Sequence, residues 1–266
     1  IAASRWRSAL ACATLLLAAT SPAAGALRCG DRAPDPSRIA VAGGSLGGML
    51  ALQLATAHPP LVRKVIPIAC GLGVTTLQRL HNFEQIFAIE EDHFFNNGEY
   101  YGRQPPIKGL TLARIISQKT FISLETIARR SKNEIIQHED DLKRYQLTDV
   151  VESYMLHQGR KFVQRFDANT YLRILEAWQA YDLLRDRGAE DVPELFSRCR
   201  KQEYLIFSID SDVCFYPEEQ ERMVEEIRAC RIPCEWAPVH SEKGHDSFLI
   251  EPELYTEALS EFLARE

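Results

Sequence analysis

No run of lysine or arginine in this 266-residue sequence is long enough to grip a polyanion, and the formal net charge is −6. Those two absences exclude the basic footprint of a nucleic-acid binder. Neither the seven histidines nor the seven cysteines cluster at metal-ligand spacing. Cys230-x-x-x-Cys234 has no companion pair, so no metal site is read and the cysteines read as reduced thiols. No G-x-G-x-x-G is formed by the glycines at 43, 44, 47 and 48, and no Gly-Lys-Ser/Thr follows them, which excludes the two common phosphate-cradling turns there. The longest apolar run near the start, Ala9 to Ala19, is too short for a confident membrane span, and no stable membrane association is expected.

What is there is a sequence with 45% apolar and 26% charged residues, enough to bury the core of one large domain or of a core with an inserted cap. Its organising stretch is Ile39-Ala-Val-Ala-Gly-Gly-Ser45-Leu-Gly-Gly-Met49, continued by Leu50 to Ala57. An apolar run, a glycine-rich break and a helical run read as strand, sharp turn, helix. Gly43-Gly44-Ser45-Leu46-Gly47 matches G-x-S-x-G, in which small residues flank a serine because strand and helix backbones approach closely. Such a turn lifts the hydroxyl to a helix N-terminus, where backbone N–H groups can stabilise an oxyanion. A glycine-rich turn without chemistry is the alternative for the motif taken by itself.

The rest of the chain supplies the context. Val62–Cys70 reads as a buried strand, residues 75–196 as mostly helical with breaks at Asn96-Asn-Gly98, Gln104-Pro-Pro106 and Gly188, and Glu203–Ile209 as a third strand. Pro217–Ala229 reads as an amphipathic helix, Pro233–Val239 as a fourth strand and Pro252–Ala264 as the closing helix. The serine thus follows one strand, Asp210 and Asp212 follow a later one, and His240 and His245 follow the last. That order, Ser…Asp…His, is the one of the α/β-hydrolase fold. In such a site the histidine is general base, and the aspartate holds its tautomer and stabilises the imidazolium. His245, in Gly-His-Asp, is the stronger candidate for the base; Asp210 and Asp212 both stand at the strand end, and the one not used would cap a turn.

At these residues the sequence resembles the homoserine O-acetyltransferase group of α/β-hydrolase acyltransferases, which also contains homoserine and serine O-succinyltransferases. The likeness runs from about Ile39 to the C-terminus. It is carried by Gly43–Met49, Asn97-Gly-Glu-Tyr100, Gly109-Leu-Thr-Leu-Ala-Arg114 with Thr120-Phe121, and Val151-Glu-Ser-Tyr154. Further along it is carried by Lys161-Phe162, Arg165–Tyr171, Ser211-Asp212 with Phe215 and Pro217, and Gly244-His-Asp-Ser-Phe-Leu249. The resemblance implies Ser45 as nucleophile, Asp212 as orienting acid, His245 as base and the Leu46 N–H as one oxyanion donor. It implies that Arg114 and Asp246 hold the carboxylate and amino groups of an amino-acid substrate, a natural use of a guanidinium fork and a carboxylate. Phe121 stands where the group usually has a tyrosine.

The implied reaction is ping-pong transfer of an acetyl group from acetyl-CoA, a co-substrate rather than a bound cofactor, to the hydroxyl of L-homoserine, a step of methionine biosynthesis. A serine hydrolase, a transferase for another small hydroxyl acceptor, and an inactive member acting only in binding are the alternatives. A homodimer through cap helices is implied as well, and the cap would keep water from the acyl-enzyme. The expected domains are a signal- or transit-like segment at 1–37 and an α/β-hydrolase core at 38–74 and 197–266, with the helical cap inserted at 75–196. Only four strands are legible where such a core has about eight. The chain therefore reads as N-terminally truncated, with one edge of the elbow strand left bare. Cytoplasm is the expected compartment, with an organelle as the alternative if the first thirty residues act as a transit segment.

Overall fold

The computed structural model describes residues 16–19, 39–132 and 145–265. They divide into two compact units, one built on residues up to Val74 with 181–241 and 245 onward, the other on Thr75–Ala180 with Glu242–Gly244. Residues 181–196, inside the range read as cap, thus count with the sheet. The expected leader at 1–37 lies outside the described residues except for Leu16–Ala19.

The first unit is a five-stranded sheet in the order β1 (Leu16–Ala19), β2 (Ile39–Gly44), β3 (Val62–Ile68), β4 (Glu203–Ile209), β5 (Cys234–Val239). β2 to β5 are parallel neighbours, from Ala40↔Lys64 through Val65↔Tyr204 to Ile209↔Val239. The edge of β2 expected to be bare is paired: β1 runs antiparallel along it, from Leu16↔Ala42 to Ala19↔Ile39. A backbone ladder there satisfies polar groups that an open edge would leave to solvent or to another chain.

Residues on alternate sides of a strand face alternate layers. Leu205, Phe207 and Ile209 pack with Ile66, Val239 and the Tyr255 and Phe262 side chains of the closing helix, Glu253–Ala264. Tyr204, one residue out of phase, meets Phe196 edge-on at 5.7 Å; Phe196 ends the short helix Val192–Phe196. Both faces of the parallel strands are therefore covered, which is why they read as near-continuous apolar runs. Lys64, buried in this layer, donates to the carbonyls of Phe262, Leu263 and Arg265, where the last turn of a helix has no backbone donors of its own.

The second unit is helical. Its main members are α2 (Thr76–Glu90), α3 (Ile107–Phe121), α4 (Leu124–Ser131), α5 (Val150–Val163) and α6 (Ala168–Ala180), following the elbow helix α1 (Leu46–Ala57) in the numbering. Their starts are written in the sequence. Thr75 and Gln78 form a capping box on α2, Asp149 and Glu152 form one on α5, and Ser123 caps α4. Gly109 and Gly159 let α3 come close to α2 and α5: a Cβ at Gly109 would lie 2.5 Å from the Ala88 carbonyl, and one at Gly159 would lie 2.8 Å from the Thr111 methyl. Among the described residues no helix is long and apolar enough to cross a membrane.

Candidate active site

β2 ends and α1 begins around a single residue, Ser45, held at φ 56° and ψ −125°. A positive φ costs a non-glycine residue, and it persists here because the surroundings dictate it. The Ser45 N–H donates to Ile68 O at 2.9 Å, tying the turn to the end of β3. No side chain could stand on either flank. A Cβ at Gly43 would lie 2.2 Å from Gly47 O, one at Gly44 would lie 2.4 Å from the Phe248 ring, and one at Gly48 would lie 2.6 Å from Cys70 Sγ. The Ser45 side chain makes no capping bond to α1, so its hydroxyl is not consumed by the helix it precedes. Its own N–H being engaged, the N–H of Leu46 is the first in the turn to point out of the helix start without an intrahelical partner.

The second element is the end of β4. Asp212 lies just beyond Ile209 and is buried. Its Oδ1 accepts from the N–H groups of Cys214 (2.7 Å) and Phe215 (2.9 Å), which fixes the carboxylate plane. Its Oδ2 lies 2.7 Å from Nδ1 of His245, and both side chains are almost fully shielded from water. A carboxylate only accepts, so Nδ1 carries the proton and Nε2 is the nitrogen left to act as a base.

The third element is the 3-10 turn Gly244–Asp246 after β5. The imidazole of His245 is stacked on Phe215 at 5.4 Å and meets Phe248 edge-on at 5.5 Å. Phe248 is the same ring that closes over Gly44, so one side chain touches both the serine turn and the histidine. Ser45, Asp212 and His245 thus all follow the carboxyl ends of parallel strands of one sheet, where open α/β sheets hold their ligands. Burial pushes the His245 pKa down, but the charge and hydrogen bond of Asp212, with Asp246 beside it, outweigh that and raise it above 6.5.

The other two candidates, Asp210 and His240, pair with each other. His240 Nδ1 lies 3.0 Å from Asp210 Oδ2 with both side chains largely in solvent, and Ser241 N–H binds the second oxygen. Burial raises the Asp210 pKa, but the Ser241 and His240 bonds more than reverse it, so it lies below the ordinary carboxylate value.

Of the residues expected to hold a substrate, Asp246 follows His245 directly. Arg114 belongs to the helical unit, on α3, with its guanidinium over the rings of Phe162 at 4.8 Å and Phe121 at 5.4 Å. Phe121 thus gives the arginine a second aromatic face beside Phe162. The matching residues at Asn97–Tyr100 and Asp167–Tyr171 bind one another: Tyr100 OH donates to Asp167 Oδ1 at 2.5 Å and accepts from Asn169 N–H at 2.9 Å. Their role is to join α6 to the loop before α3. Phe215 and Phe248 stand among the residues that carry the resemblance, but their packing against the imidazole is seen only in the fold.

A parallel sheet with a strained serine turn after one strand and a buried Asp–His pair after later ones defines a protein of the α/β-hydrolase fold. Comparison with known proteins narrows this. Over 235 residues the chain is 34% identical to homoserine O-acetyltransferase from Desulfotalea psychrophila, covering 88% of this chain and 60% of that protein. Over 227 residues it is 34% identical to homoserine O-succinyltransferase from Acidithiobacillus ferrooxidans, covering 85% and 59%. The crystal structure of homoserine O-acetyltransferase from Bacillus anthracis shares the fold with a TM-score of 0.77 at 23% identity, over 85% of this chain and 60% of that one. No protein-family model matches. The chain is therefore a homologue of the homoserine O-acetyl- and O-succinyltransferases, and it spans about three fifths of the length of these relatives.

Proposed function

We propose that the chain carries the nucleophile, base and orienting acid of a homoserine O-acyltransferase of methionine biosynthesis. The observation that carries this reading is the shielded 2.7 Å bond between His245 Nδ1 and Asp212 Oδ2, one phenylalanine away from the Ser45 turn. Nε2 of His245 takes the Ser45 proton as Oγ attacks the thioester carbonyl of acetyl-CoA, and the Leu46 N–H donates to the developing oxyanion. The tetrahedral adduct collapses, the coenzyme A sulfur leaves with the proton returned by His245, and Ser45 remains acetylated. The L-homoserine hydroxyl then gives its proton to His245 and attacks the ester, and collapse releases O-acetylhomoserine and Ser45. Arg114 and Asp246 bind the carboxylate and the ammonium of the acceptor.

No cofactor stays bound in this scheme; acetyl-CoA is consumed as a co-substrate. The succinyl-named relative at the same identity makes succinyl-CoA the second donor to try. A second copy of the chain is the proposed partner, through the cap: Leu80, Phe83 and Phe87 of α2, at helical spacing, each expose more than half of their surface. Supply of acyl-CoA favours the cytoplasm or an organelle interior as its compartment.

The test is the release of coenzyme A thiol from acetyl-CoA and succinyl-CoA with and without L-homoserine. Release that requires homoserine is the expected result. Equal release without it would make the protein a thioester hydrolase instead, and no release from either donor would overturn both readings.

A further inference from the structure

The helical unit takes in three residues from far along the chain, Glu242, Lys243 and Gly244, and leaves off at the peptide bond to His245. What holds them is the corner between α3 and α4. The hydroxyl of Ser123 and that of Thr126 both donate to the carbonyl of Glu242, the latter at 2.8 Å, and the Ser123 N–H donates to Lys243 O at 3.4 Å. Gly244 then lies flat against the same corner with φ +76°; a Cβ there would come within 2.6 Å of Ser123 N. Both hydroxyl residues are buried, and Ser123 also caps α4 through the Thr126 N–H at 3.3 Å. Arg129 adds a solvent-exposed ion pair to the Glu242 carboxylate and donates to the Thr126 hydroxyl oxygen at 3.4 Å.

Two side-chain hydroxyls on one carbonyl are more than a loop needs in order to be satisfied, since a single donor pairs a backbone oxygen. Three residues further on stands the imidazole whose distance to Asp212 sets its basicity. We infer that Ser123 and Thr126 are positioning residues for the base of the acyl transfer proposed above: they fix the Glu242 carbonyl, and through Lys243 and Gly244 the backbone from which His245 projects. Neither touches the reacting atoms. The inference rests on the catalytic reading of His245, but its geometry is independent of the acyl donor and acceptor.

The test uses Ser123→Ala, Thr126→Val and Thr126→Ser in the full chain, with two readouts. One is the rate at which a fluorophosphonate probe labels Ser45; the other is the midpoint of the His245 imidazole titration by NMR, assigned with a His245→Asn variant. Each hydroxyl deletion should slow labelling roughly tenfold, since a small displacement of a catalytic group is costly. Each should also move the midpoint down toward 6.5 as the hold of Asp212 loosens, and Thr126→Ser should restore both values. Should Ser123→Ala fail to fold through loss of its cap, Thr126→Val, which keeps that cap, carries the test. A folded Thr126→Val variant with a lower melting temperature but an unmoved rate and midpoint would overturn the inference. A wild-type chain that the probe does not label would count against the catalytic reading alone, because the imidazole titration still tests the clamp.

Discussion

Two aspartate–histidine pairs grow from the ends of the same two strands. Asp210 and Asp212 follow β4, His240 and His245 follow β5, and in each pair Nδ1 faces Oδ2, at 3.0 and 2.7 Å. The outer pair leaves 49% and 85% of its side-chain surface in water, the inner pair 0% and 4%. In water an ion pair of this kind gains little, because high dielectric and salt screen it. Inside, the same two groups interact in a low local dielectric, and each remaining polar atom must be accounted for. Asp212 has its second oxygen on two backbone N–H groups, and His245 has an aromatic ring on its face and another at its edge. Residue type and spacing are nearly the same in both pairs; burial is what separates them.

Breaking the inner pair should have the largest effect. Asp212→Asn keeps the shape but removes the charge and the tautomer preference, and is expected to slow acylation of Ser45 by about 10⁴-fold, whereas Asp210→Asn should stay within about twofold. Rates of coenzyme A release measured side by side check this. Next comes the shell: Phe215 is fully buried beneath the imidazole, and Phe215→Ala should cost about 3–5 kcal/mol of stability in urea unfolding.

The pH profile sharpens the contrast further. The base acts when neutral, so labelling of Ser45 should rise with pH through a midpoint above 6.5, and His240→Ala should leave that midpoint in place. Because the folded-state pKa of His245 is raised, its stabilising contribution is complete below 6.5 and fades as pH climbs through the folded value. Glu219 in the helix Pro217–Ala229 behaves in the same direction. Burial pushes its carboxyl up to about 7, Arg222 opposing and Asp212 and Glu218 adding to the rise. Proton binding by the folded state thus stabilises it below the unfolded pKa near 4.5, and this is lost as pH rises toward 7. Glu219→Gln should therefore raise the melting temperature at pH 8 and change it little at pH 4. The smallest effect belongs to the outer pair, where His240→Ala should change stability by less than about 1 kcal/mol.

Much of this was legible in the residues. Glu203–Ile209 and Pro217–Ala229 form the strand and helix read for them, because apolar periodicity and an N-terminal proline are local signals. Asn96 to Gly98 and Gly188 break helices as read, all with positive φ. Gly43 and Gly44 announced the turn, because a Cβ at either would strike the facing backbone or ring. What stayed hidden depends on residues distant in sequence. Leu16–Ala19 has the composition of a leader and pairs with β2 through backbone bonds that composition does not encode. Residues 242–244 read as a loop of the sheet and instead bind α4, through hydroxyls at 123 and 126 that look like any helix start. Asp212 could not be separated from Asp210 by pattern alone, since the difference is burial, which only the packed fold sets.

The central claim is that Ser45 takes the acyl group and passes it to homoserine with His245 as base. Mass spectrometry of the chain quenched after mixing with acetyl-CoA tests it most directly. The account predicts one added acetyl group on the peptide that carries Ser45, lost on adding L-homoserine and not formed in His245→Ala. An acetyl group found on another residue, or one on Ser45 that leaves equally fast without homoserine, would contradict it.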